Sequence, residues 1–240
     1  DNNTVKNVNL TAKEANWVNS AAIAVGTMNK DGLTVANTTF ENVNASQMVG
    51  SVYANKPTSV VPAVEARIGN VYYTKFDNAL AAAEEGDTIT VLNQVVIKED
   101  KAYDLAGLTV TGATAPNQMF RIQDGANVTV KNANITNNSH YVFVLGSKDK
   151  STAGYLTIEN GTYIGETTVA SVTKGTLTIN GGEFKISEKE TYDYAYLINC
   201  YDPNYKNGTA KVEIKGGKFY NFNPENNKAE GAGTDFCAEG

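Results

Sequence analysis

The densest chemistry-bearing stretch is a run of tyrosines: Tyr192, Tyr194, Tyr196, Tyr201 and Tyr205, interleaved with Asp193 and Asp202. A tyrosine offers an apolar face and a hydroxyl with little rotamer freedom to lose. Sugar rings stack on such faces, and carboxylates bind their hydroxyls. The stretch fills the longest insertion between recurring segments, and binding residues collect on loops held by a rigid scaffold. Tyr192, Tyr194, Tyr196, Tyr201, Asp202 and Tyr205 are therefore the candidate ligand-binding set. The plainer reading is that Tyr194 and Tyr196 bracket a strand and pack.

Other chemistry is thinner. The sole histidine, His140, follows Asn137-Asn138-Ser139 in a turn, where such residues are usually solvated. Glu84-Glu85 and Glu188 with Glu190 support acid–base work only if the fold converges them. Asp193, Asp202 and Asn204 offer hard oxygens for a structural Ca2+, yet no Asp-x-Asp-x-Asp-Gly loop accompanies them. The Gly-Gly pairs at 181–182 and 216–217 lack a following Gly-Lys-Ser/Thr and read as turns. No catalytic residue, resident metal or cofactor is assigned.

What must position these residues is legible in the composition. The chain has 240 residues, and 29 Asn, 26 Thr and 21 Gly make it turn-rich and β-prone. Its net charge of -6 argues against a nucleic-acid partner. No apolar run approaches the roughly 18–20 residues that span a bilayer, so no membrane insertion is expected. Cys200 and Cys237 are too few for a disulfide framework and leave one pairing open.

A short template recurs: apolar, Thr, apolar, any residue, Asn or Gly, two more, then a large apolar residue. It begins at Asn3, Leu33, Val128, Leu156, Leu177 and Val212, and ends at Leu10, Phe40, Ile135, Tyr163, Phe184 and Phe219, with Asn3 replacing the first apolar residue in one copy and Glu213 replacing Thr in another. Leu108-Thr109-Val110 reads as a weaker copy ending at Ala115. Alternation turns the outer triplet members inward and Thr outward. Asn or Gly two residues later suits a sharp left-handed turn. Short apolar strands precede most copies, as in Ala22–Val25, Met119–Ile122, Val142–Leu145, Val169–Val172 and Tyr196–Ile198. From Val110 the triplet ends recur at Val130, Ile158, Ile179 and Ile214, a core period with variable insertions. That is the signature of a coiled solenoid. The expected fold class is all-β: a right-handed parallel β-helix solenoid with an N-terminal β-hairpin and short α-helix cap.

The pattern resembles the right-handed parallel β-helix, or pectate-lyase-like, superfamily. It is closer still to modules of secreted or surface proteins of gut bacteria, through Ala66–Tyr73, Phe76–Ala83 and Gly86–Leu92, and through Gly216–Pro224 with Ala229–Gly231 and Asp235–Gly240. The resemblance implies an extracellular or bacterial cell-surface location, a polysaccharide or host glycan as partner, and membership of a longer tandem-module protein. Lyases of that superfamily use clustered carboxylates for calcium and a basic residue as the base; its hydrolases use several Asp and a Gly-His-Asp element. Neither set is present here, with Arg67 in the proposed cap and Arg121 in a coil strand.

The expected organisation is 1–55 as terminal coils of an upstream module, 56–63 as linker and 64–240 as the β-helix module. Within the last, 64–86 is the cap, 87–222 the coils and 223–240 a C-terminal tail. In the cap, a hairpin turns at Gly69-Asn70, and a helix over 77–85 is N-capped by Asp77 and stopped by Gly86. The functional expectation is a non-catalytic module that binds glycan or mediates adhesion. The alternatives are a polysaccharide lyase or glycoside hydrolase, and a structural spacer in a stalk or fibre.

Overall fold

The computed structural model describes residues 3–7, 21–25, 38–41, 43, 47–51, 64–113, 117–187 and 196–238. The chain divides into two units, Asp1–Ala83 and Glu84–Gly240. The linker expected at 56–63 lies outside the described residues.

In the first unit, β1 (Thr4–Lys6), β2 (Ala21–Val25), β3 (Thr39–Glu41) and β4 (Gln47–Ser51) form two parallel pairs, β1 with β3 and β2 with β4. Val5 lies opposite Phe40. The Asn3 triplet therefore sits beside a template end, not beside another triplet; Leu10 and Leu33–Val35 lie outside the described residues. β5 (Ala66–Ile68) and β6 (Val71–Tyr73) make the expected antiparallel hairpin. Gly69 turns it at φ 53, and Arg67 Nη1 donates to the Gly69 carbonyl at 2.8 Å.

The helix α1 runs Phe76–Ala82, and its start corrects the expectation. Lys75, not Asp77, is the N-cap residue, and its side chain makes no capping bond. Glu65 does that work from across the hairpin: its carboxylate accepts from the Phe76 N–H at 2.8 Å and pairs with Lys75 at 2.9 Å. Asp77 stands inside the first turn, where its charge still favours the helix N-terminus. Nor does Gly86 stop the helix. Ala83 ends it in extended conformation, and Gly86 turns at φ 90 just before the next strand.

The second unit repeats one path. β7 (Thr88–Val91), β8 (Val95–Ile97) and β9 (Lys101–Asp104) make the first coil. β10 (Thr109–Gly112), β11 (Gln118–Ile122) and β12 (Asn127–Lys131) make the second. β13 (Ala133–Thr136), β14 (Tyr141–Leu145) and β15 (Gly154–Ile158) follow, then β16 (Gly161–Gly165), β17 (Thr168–Val172) and β18 (Gly175–Ile179). β19 (Glu183–Ile186), β20 (Ile198–Cys200), the short helix α2 (Asp202–Lys206), β21 (Ala210–Ile214) and β22 (Lys218–Phe219) complete it.

Each strand pairs in parallel with the equivalent strand of the next coil. The ladders run β7-β10-β13-β16-β19-β22, β8-β11-β14-β17-β20 and β9-β12-β15-β18-β21. The chain visits the three ladders in fixed rotation, as an all-β parallel solenoid requires.

Register explains the template. Val128, Leu156, Leu177 and Val212 stack in one column, as do Val130, Ile158, Ile179 and Ile214 in the next. Both columns are buried, while Thr129, Thr157 and Thr178 between them lie half-buried on the other face. The weaker copy is misplaced: Val110 pairs with Ile89 and Ile135 in the first ladder. The true partners of Val128 and Val130 are Lys101 and Tyr103, whose Lys-Ala-Tyr does not match the template. The segment Tyr196–Ile198 likewise shifts, since its strand runs Ile198–Cys200. Ala115 lies outside the described residues.

The left-handed residue also moves. Asn7 and Asn132 hold φ 55 and 54 at the expected site, but the next three copies turn one residue later, at Gly161, Gly182 and Gly217. A side chain at Gly161 would meet the Ala133 backbone of the coil beneath, which glycine alone avoids.

The large template residues build the core. Ile135, Tyr163, Phe184 and Phe219 stack in register. The Tyr163 and Phe184 rings lie 5.2 Å apart at 7°, and those of Phe184 and Phe219 5.0 Å apart at 10°. Tyr163 keeps its hydroxyl satisfied by donating to the Asn160 carbonyl at 2.8 Å. The column continues through Phe222 to Phe236, and Phe236 meets Tyr205 edge-on. At the other end Phe143 joins Tyr163 to Phe120.

Phe184→Ala should lower unfolding free energy by about 3–5 kcal/mol in urea titration, because it opens a cavity between two rings. Lys185→Ala, its exposed neighbour, should change it by about 0.5 kcal/mol or less. Equal losses at both positions would contradict the assignment of the column as core.

Candidate functional site

The tyrosine-rich insertion lies between β19 and β21. Tyr192 and Tyr194, with Asp193, Glu188 and Glu190, lie outside the described residues. Tyr196, Tyr201, Asp202 and Tyr205 are described. The last three form one corner around α2.

Local sequence sets that corner. Tyr201 is the extended N-cap residue, and Pro203 falls in the first turn, where its missing N–H costs nothing. Asp202 opens the helix and Lys206 closes it, matching the helix dipole. Asn207 and Gly208 end it; Gly208 turns at φ 77 and Thr209 donates to Asn207 Oδ1 through both its N–H and its hydroxyl. The Asn204 amide donates to the Thr173 carbonyl at 2.6 Å, fastening α2 to the turn of the preceding coil.

Tyr201 and Tyr205 are one helical turn apart, yet face different surroundings. Tyr201 is exposed, and Lys150 Nζ lies 3.4 Å from its ring centroid. Lys150 belongs to the equivalent corner of an earlier coil, in a rigid loop. Asp149 accepts the Ser147 hydroxyl at 2.6 Å and the Ser151 hydroxyl and N–H at 2.7 and 3.1 Å. Those bonds, Ser147's foremost, hold the Asp149 carboxyl down to about 2. Lys174 anchors the loop from the next corner by donating to the Ser151 carbonyl at 2.8 Å.

Tyr205 turns to the C-terminal end of the stack. It is half-buried, its ring 5.9 Å from Phe236. It borders a cleft of about 680 Å³ with Lys211, Glu213, Lys215 and Asp235. Burial first, then the neighbouring Cys200, Glu230 and Asp235, push its hydroxyl pKa up. A second, more apolar groove of about 830 Å³ is bordered by Ile214, Phe219, Phe222, Pro224 and Cys237.

Asp202 does not join the tyrosines. It lies beside Glu230 of the C-terminal segment. The Asn204 side-chain Nδ2 donates to the Thr173 carbonyl, and Asp193, the third residue weighed for calcium, lies outside the described residues. Among the described residues no group of three His, Cys, Asp or Glu is arranged to hold a metal ion. No described helix is long and apolar enough to cross a membrane.

The residues considered for catalysis are dispersed. His140 Nδ1 lies 3.6 Å from Glu166 at a half-exposed turn. Arg121 is buried, donating to the Gly146 carbonyl at 2.6 Å and to Gln118, and burial lowers its pKa. Arg67 closes the hairpin in the other unit.

Both cysteines are free thiols. Cys200 is buried on β20; Cys237 lies against Ile214 in the C-terminal segment. Burial, reinforced by Glu230, pushes the Cys200 thiol well up. Burial and then Asp235 raise Cys237 more modestly.

Lys150, Lys211, Glu230 and Asp235 are absent from the sequence-derived set. Lys150 is brought in by coil stacking, Glu230 and Asp235 by the returning C-terminal segment, and Lys211 by the turn from α2 into β21. Aligning the turns between successive second- and third-ladder strands would have found Lys150, because Ser147–Thr152, Thr173-Lys174 and Tyr201–Thr209 occupy the same corner.

No protein-family profile matches the chain, and no solved structure matches it. A protein of Thermoanaerobacter kivui named "Cell surface protein" is 30% identical over 190 residues. The match takes in 75% of this chain but only 22% of that relative's length.

Native alkylation should modify Cys237 first and Cys200 far more slowly, with two reactive thiols per denatured chain. Mass spectrometry of the non-reduced protein reads this. An intramolecular disulfide, or faster labelling of Cys200, would contradict the arrangement.

Proposed function

We propose that this chain contributes a right-handed parallel β-helix module of the pectate-lyase-like kind to a bacterial surface protein. Its corner at Tyr201 and Tyr205 binds polysaccharide or host glycan, and adhesion is the use of that binding. The right-handed path is supported by the strong preference of strand–crossover–parallel strand connections for that hand. The extracellular, cell-surface setting is supported by the name of the Thermoanaerobacter kivui relative. The chain covers a small part of that relative, and the activity of a longer protein is not carried over.

One observation carries the glycan reading. Tyr205 stands in a cleft with Lys211, Glu213 and Asp235, while exposed Tyr201 sits at the other end of the same helical turn. A sugar needs an aromatic face for its C–H surface and both donors and acceptors for its hydroxyls. This corner offers both within one short helix and its neighbours. Lys150 packed on Tyr201 holds that ring still, which reduces the ordering cost of binding.

A non-catalytic role is supported by the prior engagement of both arginines. Arg121 is buried against Gly146, and Arg67 serves the hairpin turn. A hydrolase would need a substrate-facing carboxylate pair, and Asp202 faces Glu230 instead.

Native affinity electrophoresis through neutral and acidic polysaccharides tests the proposal. The protein should be retarded on at least one polymer. Tyr201→Ala and Lys211→Ala should each weaken that retention roughly tenfold, equivalent to ~1.4 kcal/mol. Retention unchanged in both variants would remove the site. No retardation on any polymer would favour the spacer reading, and release of unsaturated or reducing ends would favour an enzyme.

A further inference from the structure

The C-terminal segment from Asn227 to Ala238 folds back over the last coil. Asn227 is buried and braces the segment, donating to the Pro224 and Thr234 carbonyls at 3.2 and 2.9 Å and accepting from the Ala229 N–H at 2.9 Å. Phe236 is buried between Phe222 and Tyr205. Its carbonyl accepts from the Ile214 N–H at 2.8 Å, and the Ala238 N–H donates to the Ile214 carbonyl at 2.9 Å. The segment thereby continues the third ladder by one bridge, Ile214 to Cys237.

Glu230 covers the edge of the second ladder. Its Oε1 accepts from the Cys200 N–H at 2.7 Å. Its Oε2 is buried and has no donor. Beside the Glu230 carboxyl stands another acceptor, the carboxylate of Asp202. Two facing carboxylate oxygens, one sealed from water, repel each other unless a proton lies between them. The groups facing Glu230 are few. From β20 there is Cys200, whose thiol is kept neutral by burial. From α2 come Asp202, Tyr205 with a neutral hydroxyl, and Lys206, whose charge partly offsets that of Asp202.

We propose that the C-terminal segment is a proton-held latch, in which a proton shared between Glu230 and Asp202 fastens it over the last coil and loss of that proton frees it. The step is a simple ionisation: the Glu230 O–H bond breaks, its proton goes to solvent, and two negative charges remain at the contact. Burial, then Asp202, push the Glu230 carboxyl up from 4.5 to about 8. The docked state thus binds a proton more tightly than the released state. Docking is strongest below the ordinary carboxyl pKa, weakens steadily as pH rises, and reaches its floor above about 8. Release would uncover the edges of β20 and β21, the Cys200 thiol and the face of Phe236.

The Cys200 amide reports the latch directly, because its N–H donates to Glu230. Hydrogen exchange at that amide should be compared between the full chain and its Glu230→Gln variant at matched pH, which cancels the intrinsic pH dependence of exchange. Gln keeps the acceptor for Cys200 and supplies a permanent donor to Asp202. From pH 5 to pH 8, protection in the natural protein should fall relative to Glu230→Gln on the order of 100-fold. Asp202→Asn is the second variant: its amide donates to an ionised Glu230, so protection should persist at pH 8. A protection ratio constant from pH 5 to pH 8, or an Asp202→Asn variant with the natural pH profile, would overturn the latch.

Discussion

Parallel, in-register stacking of one coil on the next is the constraint on which the second unit depends. It satisfies the backbone N–H and C=O groups of three ladders at once. It also forces equivalent positions of successive coils into columns. A column of apolar residues then becomes continuous core, and Tyr163, Phe184 and Phe219 become a stack of nearly parallel rings. Burying one such side chain contributes roughly 1.5–3 kcal/mol, and each aromatic pair adds about 0.5–1.5 kcal/mol. The same stack runs through Phe222 and Phe236 to Tyr205, so the candidate binding corner is an outgrowth of the core.

That constraint explains what was legible beforehand. The triplets at Val128, Leu156, Leu177 and Val212 announced the third ladder because each keeps two inward apolar residues around one outward residue, Thr in the first three and Glu213 in the last. The first coil escaped because its equivalent strand reads Lys-Ala-Tyr, and Leu108–Val110 mimicked the template while belonging to the first ladder. A triplet states that a strand has an inward face. It does not state which of three inward faces. The helix start misled for a related reason: Asp77 is a good local cap, but Glu65 reaches the Phe76 N–H from across a hairpin, and no local rule anticipates that.

The candidate site was legible as a composition and illegible as a geometry. Tyr201, Asp202 and Tyr205 do share one corner, yet they divide among three surroundings: Lys150, Glu230 and the cleft by Lys211. Lys150 and Glu230 lie far away in the chain and are brought in by stacking and by the returning tail, while Lys211 follows α2 directly on β21. In a solenoid the coil strands are fixed by their columns, so variation gathers at corners and ends. The proposed glycan corner and the returning segment of residues 227–238 meet there, at α2. Tyr205 belongs to both, through the cleft on one side and Phe236 on the other.

The most direct test is the register itself, read by interstrand nuclear Overhauser effects in isotope-labelled protein. Parallel stacking predicts contacts linking Thr162 to Glu183, Tyr163 to Phe184 and Ile164 to Lys185, together with the next-rung pairing of Phe184 and Phe219. Contacts that instead fold Gly161–Gly165 back antiparallel onto Thr168–Val172, as a hairpin would, contradict the stacking and everything argued from it.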